Sequence, residues 1–255
     1  YAAELGLEVF SSPFDTTAVD FLEDLNVSAY KIASLEVGDV QLIKKVAKTK
    51  KPLIISTGAA TLAEIEHAAQ IVNKYNPNNL ILLKCTSAYP ACPKDANLKS
   101  MCTLSDMFEC HVGLSDHTLG TAVSVASVAL GSKVIEKHFI DDKIHETVDS
   151  EFSLDQNEFT ILVDQVNSAW QSLGKSSFEL SESENTSFSH KRSLYIVQDI
   201  KKGEKFTKNN LKSIRPSNGL PIKEMNNFIG KFASVDIPKG TPLKWSFLSD
   251  YKKLS

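Results

Sequence analysis

Six short apolar runs, at residues 8–11, 30–33, 53–56, 80–84, 112–115 and 134–136, are each separated from the next by a longer stretch, mostly of helical pattern. This alternation most restricts what the chain can fold into. A parallel neighbour is reached only by a crossover, so alternating strands and helices imply a parallel sheet with right-handed connections. Residues 16–25 place Val19, Phe21, Leu22 and Leu25 on an apolar helix face, and residues 61–74 open with Thr61 and Glu64 at capping-box spacing. Asp155 and Glu158 repeat that spacing before a last helix through Phe159, Leu162, Val166 and Trp170, with a stop near Gly174. Residues 1–5 read as the tail of a helix closed by Gly6.

Six strands are too few for a closed eight-stranded barrel. The expected fold is therefore a TIM (β/α)8-type barrel lacking its first two strands in this chain, with those strands upstream of Tyr1. An open doubly wound sheet is the alternative, but no Gly-x-Gly-x-x-Gly turn follows the first run to make a dinucleotide site. The barrel portion is expected over residues 1–174. Residues 175–189 turn Ser- and Glu-rich and read as a linker. Residues 190–255 form a small β-rich domain in which Val197-Gln198-Asp199-Ile200-Lys201-Lys202-Gly203 recurs as Val235-Asp236-Ile237-Pro238-Lys239-Gly240, suggesting pseudo-twofold symmetry. A domain that small is marginal alone and is expected to lean on another surface.

With 42% hydrophobic content in 255 residues, the chain can bury a sizeable core. A formal charge of −3 leaves no electrostatic footprint for nucleic acid or an anionic membrane. Cys85, Cys92, Cys102 and Cys110 form no C-x-x-C pair, which argues against a zinc ribbon and a secreted disulfide framework. No run has the length of a transmembrane helix and no signal segment opens the chain, so a cytoplasmic location is expected.

The ends of the strand-like runs carry the chemistry. Ser11 and Ser12 follow the first; Lys31, Ser34 and Glu36 surround the second; Ser56 and Thr57 end the third. Lys84, Thr86, Ser87 and Tyr89 surround the fourth, Ser115 and His117 the fifth, and Lys137 and His138 the sixth. In a barrel such groups converge at one mouth, where hydroxyls and a lysine suit a phosphate and a carboxylate. Taken singly, each histidine is a polar strand end satisfied by a carbonyl; taken together, His117 and His138 read as a pair of ligands for one divalent ion. Cys85 reads as core, because no histidine neighbours it in sequence.

The series Ser11-Ser12-Pro13-Phe14, Tyr30-Lys31-Ile32-Ala33-Ser34, Ile55-Ser56-Thr57-Gly58, Lys84-Cys85-Thr86-Ser87-Ala88-Tyr89-Pro90, Gly113-Leu114-Ser115-Asp116-His117 and Glu136-Lys137-His138-Phe139 resembles the sialic acid synthase family. The tail, with Arg192-Ser193-Leu194-Tyr195 and Arg215-Pro216-Ser217-Asn218-Gly219, resembles its antifreeze-like (SAF) domain. The resemblance implies a transferase that condenses phosphoenolpyruvate with an N-acetylated sugar aldehyde, using Mn2+ or Mg2+ on His117 and His138. It implies phosphoenolpyruvate contacts at Lys31, Ser34, Ser56 and Ser115, with Ser12 at a family hydroxyl position. It further implies sugar contacts at Glu36, Ser87, Tyr89 and Asp149, and Arg215 reaching the sugar from a second subunit of a domain-swapped homodimer. Segments that carry a further glutamate and lysine in the family are not within these residues, so the 255-residue chain alone is expected to be inactive or poorly folded.

Three places resemble the pseudaminic acid branch rather than the neuraminate branch: the run Asp149-Ser150-Glu151-Phe152-Ser153-Leu154-Asp155, Ser87 where neuraminate enzymes usually carry Asn, and Arg192-Ser193-Leu194-Tyr195. The implied sugar is a 6-deoxy compound, 2,4-diacetamido-2,4,6-trideoxy-β-L-altropyranose. Alternatives are an N-acetylneuraminate or legionaminate synthase, a related ketodeoxyoctonate phosphate synthase, or a sugar-binding homologue that has lost catalysis. The SAF-like tail argues against the ketodeoxyoctonate enzyme.

Overall fold

Apolar runs bounded by turns become five parallel strands, β1 (Tyr30–Ile32), β2 (Leu53–Ser56), β3 (Leu80–Cys85), β4 (His111–Asp116) and β5 (Val134–Lys137), arranged in the order β1-β2-β3-β4-β5. The computed structural model describes residues 1–141 and 147–249. The chain divides into two units, Tyr1–Lys175 and Ser176–Ser255. The last residues of the expected small domain, 250–255, lie outside the described residues. In the first unit the strands alternate with α1 (Thr16–Asp24), α2 (Val40–Lys48), α3 (Leu62–Tyr75), α4 (Ser100–Phe108) and α5 (Ala122–Ala129), and α6 (Gln156–Leu173) follows. Both faces of β1 and β2 are buried, as a parallel sheet covered by helices requires. Tyr30, Ile32, Leu53, Ile55 and Leu82 pack there with Leu42, Ile43 and Val46 of α2 and Val72 of α3.

Two observations separate a barrel from a doubly wound sheet. The strand order is strictly sequential, so no point exists at which the winding reverses. The sheet is also strongly curved. In a flat sheet β1 and β5 would lie about 19 Å apart, four strand spacings, yet Lys31 Nζ on β1 and Glu136 Oε2 on β5 are 3.6 Å apart. The arc has the architecture of part of a TIM barrel. Gly113 permits it locally: a Cβ there would meet the Val134 carbonyl oxygen at 2.2 Å and Leu83 Cδ2 at 2.6 Å.

The expected caps form. Thr61 and Glu64 make a complete capping box on α3, as do Asp155 and Glu158 on α6, and Gly6, at φ 72°, closes a 3-10 turn at Ala3–Leu5. Three expectations need correction. Residues 8–11 are exposed and, among the described residues, pair through a single parallel bridge from Ser11 to Tyr30, with β1 on one side and no described strand on the other. On α1 only Val19 and Leu22 are buried; Phe21 is exposed because, two residues after Val19, it turns off that face, and Leu25 is exposed as the cap residue beyond the last helical turn. On α6 Leu162 is buried, whereas Trp170 is 64% exposed and lines a surface groove with Val128, Ile135 and Val166.

In the second unit, the stretch expected as a linker contains α7 (Glu182–Ser189), started by a capping box of Ser181 and Glu184 and burying no residue. The antiparallel pair β6 (Ser193–Ile196) and β7 (Leu211–Ile214) follows, with α8 (Met225–Phe228). Leu194, Ile196, Phe206, Phe228, Ile237 and Leu243 form a separate core. The near-repeat is a real pseudo-twofold: Ile200 and Ile237 exchange backbone hydrogen bonds of 2.9 and 2.7 Å. Asp199 Oδ1 accepts from Lys239 N at 2.6 Å, and Asp236 Oδ1 from Lys202 N at 2.8 Å, so each copy caps the other.

Candidate active site

The C-terminal ends of β1 to β5 and the turns after them gather the polar side chains. Lys31, buried on β1, donates to the Ile32 carbonyl at 3.1 Å and faces Glu136. Ser115 Oγ on β4 donates to Glu136 Oε1 at 2.7 Å, so one carboxylate ties the two ends of the arc. Burial pulls the Lys31 ammonium below the ordinary lysine range despite Glu136 and Glu36 nearby. Beside it, Ser34 Oγ accepts from Gly58 N–H at 3.0 Å. Among the described residues Ser56 Oγ and Glu36 Oε2 are buried without a hydrogen-bond partner. Buried polar atoms normally have one, so both keep hydrogen-bonding capacity free, as does Ser213 Oγ in the second unit.

Four rings cluster next to these groups. His117 and His138 have ring centres 5.3 Å apart, Tyr89 lies 4.2 Å from His117, and Phe152 lies 4.9 Å from His138. Phe152 and Asp149 are brought there because the segment after β5 folds back beside it: Leu154 N donates to the His138 carbonyl at 2.9 Å and Ile140 N to the Leu154 carbonyl. His138 Nδ1 lies 3.6 Å from Asp149 Oδ2. His117 Nδ1 is 3.1 Å from the Thr86 carbonyl and 3.8 Å from Cys85 Sγ. Burial lowers the His138 pKa and the charge of His117 adds to the effect. For His117 burial acts downward too, but the Cys85 thiol and the Thr86 carbonyl outweigh it and leave the pKa raised. The Cys85 thiol is pushed up by burial, yet His117, Ser34 and Ser115 bring it down to about 7.

Residues 1–178 match the NeuB family, and residues 191–249 match the SAF domain. The chain belongs to the NeuB family. It is 46% identical over 241 residues to a pseudaminic acid synthase of Campylobacter jejuni, covering 94% of this chain and 70% of that protein. It is 40% identical to an N,N'-diacetyllegionaminic acid synthase of the same genus and species, covering 92% and 71%. The crystal structure of the N-acetylneuraminic acid synthetase of Leptospira borgpetersenii superposes with a TM-score of 0.68 at 33% identity, covering 73% of this chain and 65% of that one.

Within this NeuB-family site, the structure brings together Lys31, Ser34, Glu36, Ser56, Ser87, Tyr89, Ser115, His117, His138 and Asp149. Gly58 is the pivot for several of them: a Cβ there would meet Ser87 Oγ at 2.2 Å, Ser34 Oγ at 2.9 Å and Cys85 Sγ at 3.0 Å. Ser12 is half-buried just past the bridge at Ser11. Arg215 is exposed immediately after β7, in the second unit. Two residues carry no role in the sequence reading although both stand in quoted motifs: Glu136, because a strand glutamate has no signature of its own, and Phe152, because only the fold-back brings it to His138. Cys85 is buried, in keeping with its reading as core, and it also meets His117, 32 positions away and 3.8 Å distant, a contact that no sequence neighbour announces.

The two imidazoles fit a divalent ion. A carbonyl only accepts, so a neutral His117 carries its proton on Nδ1 towards Thr86 and keeps the Nε2 lone pair for a ligand. Asp149 favours the same tautomer in His138. Among the described residues no set of three or more His, Cys, Asp or Glu side chains is grouped to hold a metal. The pair would leave coordination positions for substrate and water, as catalytic metal sites do.

Proposed function

We propose that this NeuB-family chain is a pseudaminic acid synthase. It condenses phosphoenolpyruvate with 2,4-diacetamido-2,4,6-trideoxy-β-L-altropyranose to give pseudaminic acid and phosphate. The observation that carries the reading is the convergence of Lys31, Ser115 and the His117–His138 pair at one end of a curved sheet. Higher identity to the pseudaminic acid synthase than to the legionaminic acid synthase supports the branch, as does Ser87 beside Gly58.

Lys31 holds the phosphoenolpyruvate anion, with Ser34, Ser56 and Ser115 supplying hydroxyl donors and Ser12 at the rim. The lysine and Ser115 are tied to Glu136 in the structure, so the bound anion takes over part of the role of that carboxylate. Glu36, Ser87, Tyr89 and Asp149 orient the sugar. His117 and His138 would hold a divalent ion, Mn2+ or Mg2+, which when bound would supply Lewis-acid polarisation of the sugar aldehyde. C3 of the enol forms the new bond to the aldehyde carbon of the ring-opened sugar as the carbonyl π bond breaks onto its oxygen, and water adds to the cation left at C2, its released proton balancing the one the sugar oxygen takes up. The C2–O bond to phosphate then breaks, the C2 hydroxyl losing its proton to leave the ketone and phosphate. Phe152, buried against His138, limits stray water on that side, while Tyr89 packs on His117 from the exposed rim. Arg215 reaches the sugar from the small domain of a second copy in a swapped homodimer. The protein works in the cytoplasm, where phosphoenolpyruvate is made.

The test is Mn2+-dependent phosphate release from phosphoenolpyruvate by the intact protein, offered the diacetamido altrose sugar, its legionaminate-type isomer and N-acetylmannosamine. Release with the first alone is expected. Release only with another sugar reassigns the branch, and none with any sugar favours a sugar-binding homologue.

A further inference from the structure

Immediately before each of the two histidines stands one half of a buried ion pair. Asp116 and Lys137 are direct register partners across β4 and β5, and theirs is the last pair of that ladder. Lys137 Nζ lies 3.1 Å from Asp116 Oδ2, with the two side chains 0% and 1% exposed. Every acceptor position on the carboxylate is used: Oδ1 takes Thr118 N at 2.9 Å and Thr118 Oγ1 at 2.7 Å, and Oδ2 also takes Ser124 Oγ at 2.6 Å. Lys137 donates in addition to the Thr118 carbonyl. Ser124, on α5, is fully buried, and its carbonyl accepts from Ser127 Oγ at 2.7 Å.

Successive strand residues face opposite ways. Ser115 and Glu136 meet on the inner, substrate side; Asp116 and Lys137 meet on the outer side, against α5. Beyond them the β4–β5 register ends, and no β4–β5 ladder bond joins the next two residues, whose carbonyls accept instead from Ala91 N–H and Leu154 N–H respectively, each at 2.9 Å. Those residues are His117 and His138. A buried ion pair adds little net stability over well-packed apolar side chains, because desolvation offsets the attraction. Its distinguishing property is direction: three of the four hydrogen bonds at the Asp116 carboxylate, from Thr118 and Ser124, fix the end of β4 against α5, and the fourth, from Lys137, ties the end of β5 to it.

We infer that the Asp116–Lys137 pair is a positioning device that sets the separation of the His117 and His138 imidazoles for a shared divalent ion. The inference rests on the metal-dependent reading of the site. Asp116 and Lys137 touch neither substrate nor metal; they act through the backbone of the residues that follow them.

The experiment measures Mn2+ affinity by calorimetry, phosphoenolpyruvate affinity and melting temperature in the intact protein carrying Asp116→Asn, Lys137→Met or both. The single variants are expected to weaken Mn2+ binding about 10–100-fold, the range for losing a partner that orients a metal ligand. Phosphoenolpyruvate binding, centred on Lys31, stays within about threefold. The double variant leaves no unpaired buried charge, so it folds even if the singles do not, and its Mn2+ affinity stays low. Mn2+ affinity within threefold of wild type in a folded variant overturns the inference. So does a parallel loss of both ligands, or recovery of Mn2+ affinity in the double variant. Mn2+ binding that survives His117→Ala also overturns it. Wild type that binds Mn2+ at the pair yet releases no phosphate ends the functional reading and leaves the positioning role intact.

Discussion

Lys31 and Glu136 are ion-pair partners at 3.6 Å although β2, β3 and β4 lie between their strands. The relationship has a structural and a chemical side. It records the curvature of the sheet, and it leaves a buried ammonium beside the carboxylate and hydroxyl of Glu136 and Ser115. Burial alone disfavours that ammonium, so the lysine is a poor contributor to stability and a good anion receptor.

Lys31→Met follows directly. Removing the charge is expected to lower kcat/KM for phosphoenolpyruvate by about 10²–10³-fold, the scale for losing one preorganised donor. Glu136 is 40% exposed at its side chain and tolerates the loss of its partner, so the melting temperature holds or rises. Steady-state kinetics with a thermal melt decide it; an unchanged KM for phosphoenolpyruvate counts against the assignment.

Loss of either imidazole removes a ligand outright. His117→Ala and His138→Ala are each expected to weaken Mn2+ binding by more than the roughly 10–100-fold typical of a lost orienting partner, while phosphoenolpyruvate still binds. Calorimetric titration with each ligand separately makes the comparison. Unchanged Mn2+ affinity in both variants would sink the metal pair.

The Cys85–His117 contact predicts a pH signature. Metal binding needs the neutral imidazole, and His117 titrates above the ordinary histidine value of about 6.5, largely against its burial and because of Cys85. Protons therefore compete at a higher pH than for an unperturbed histidine, and Mn2+ is lost as pH falls through that raised pKa. In Cys85→Ser the hydroxyl does not ionise, so the midpoint of Mn2+ loss moves to lower pH. A midpoint that stays put in the serine variant shows that the thiol does not act on His117.

Gly58→Ala tests the packing of the mouth. Its backbone is not in the left-handed region, so the cost is steric: the new methyl collides with Ser87, Ser34 and Cys85. Overpacking of this kind costs about 1–3 kcal/mol. Because two of the displaced groups, Ser34 and Ser87, are proposed ligand contacts, the KM values for phosphoenolpyruvate and the sugar rise more than stability falls. A stable variant with wild-type KM values places Ser34 and Ser87 outside the binding site.

Local order could be read directly from the chain. The boxes at Thr61 and Asp155 form because their partners lie three residues on, and β1 to β5 form where apolar runs are bounded by turns. Residues 8–11 looked like the same kind of run but pair through one bridge, since a strand depends on neighbours that its own residues do not encode. A capping box likewise makes α7 helical inside a stretch whose composition suggested a linker.

By itself, then, the sequence determined the parallel alternation of strands and helices, the sequential family motifs and most of the polar groups at the mouth, because periodicity and motif spacing are local properties. Only the tertiary structure decided that β1 and β5 curl until Lys31 meets Glu136, that Cys85 sits against His117, and that Phe152 returns to His138. In a flat sheet Lys31 and Glu136 would lie about 19 Å apart, four strand spacings, and Cys85 and His117 are 32 positions apart in the chain. Curvature and crossover geometry, which no short segment carries, bring them together.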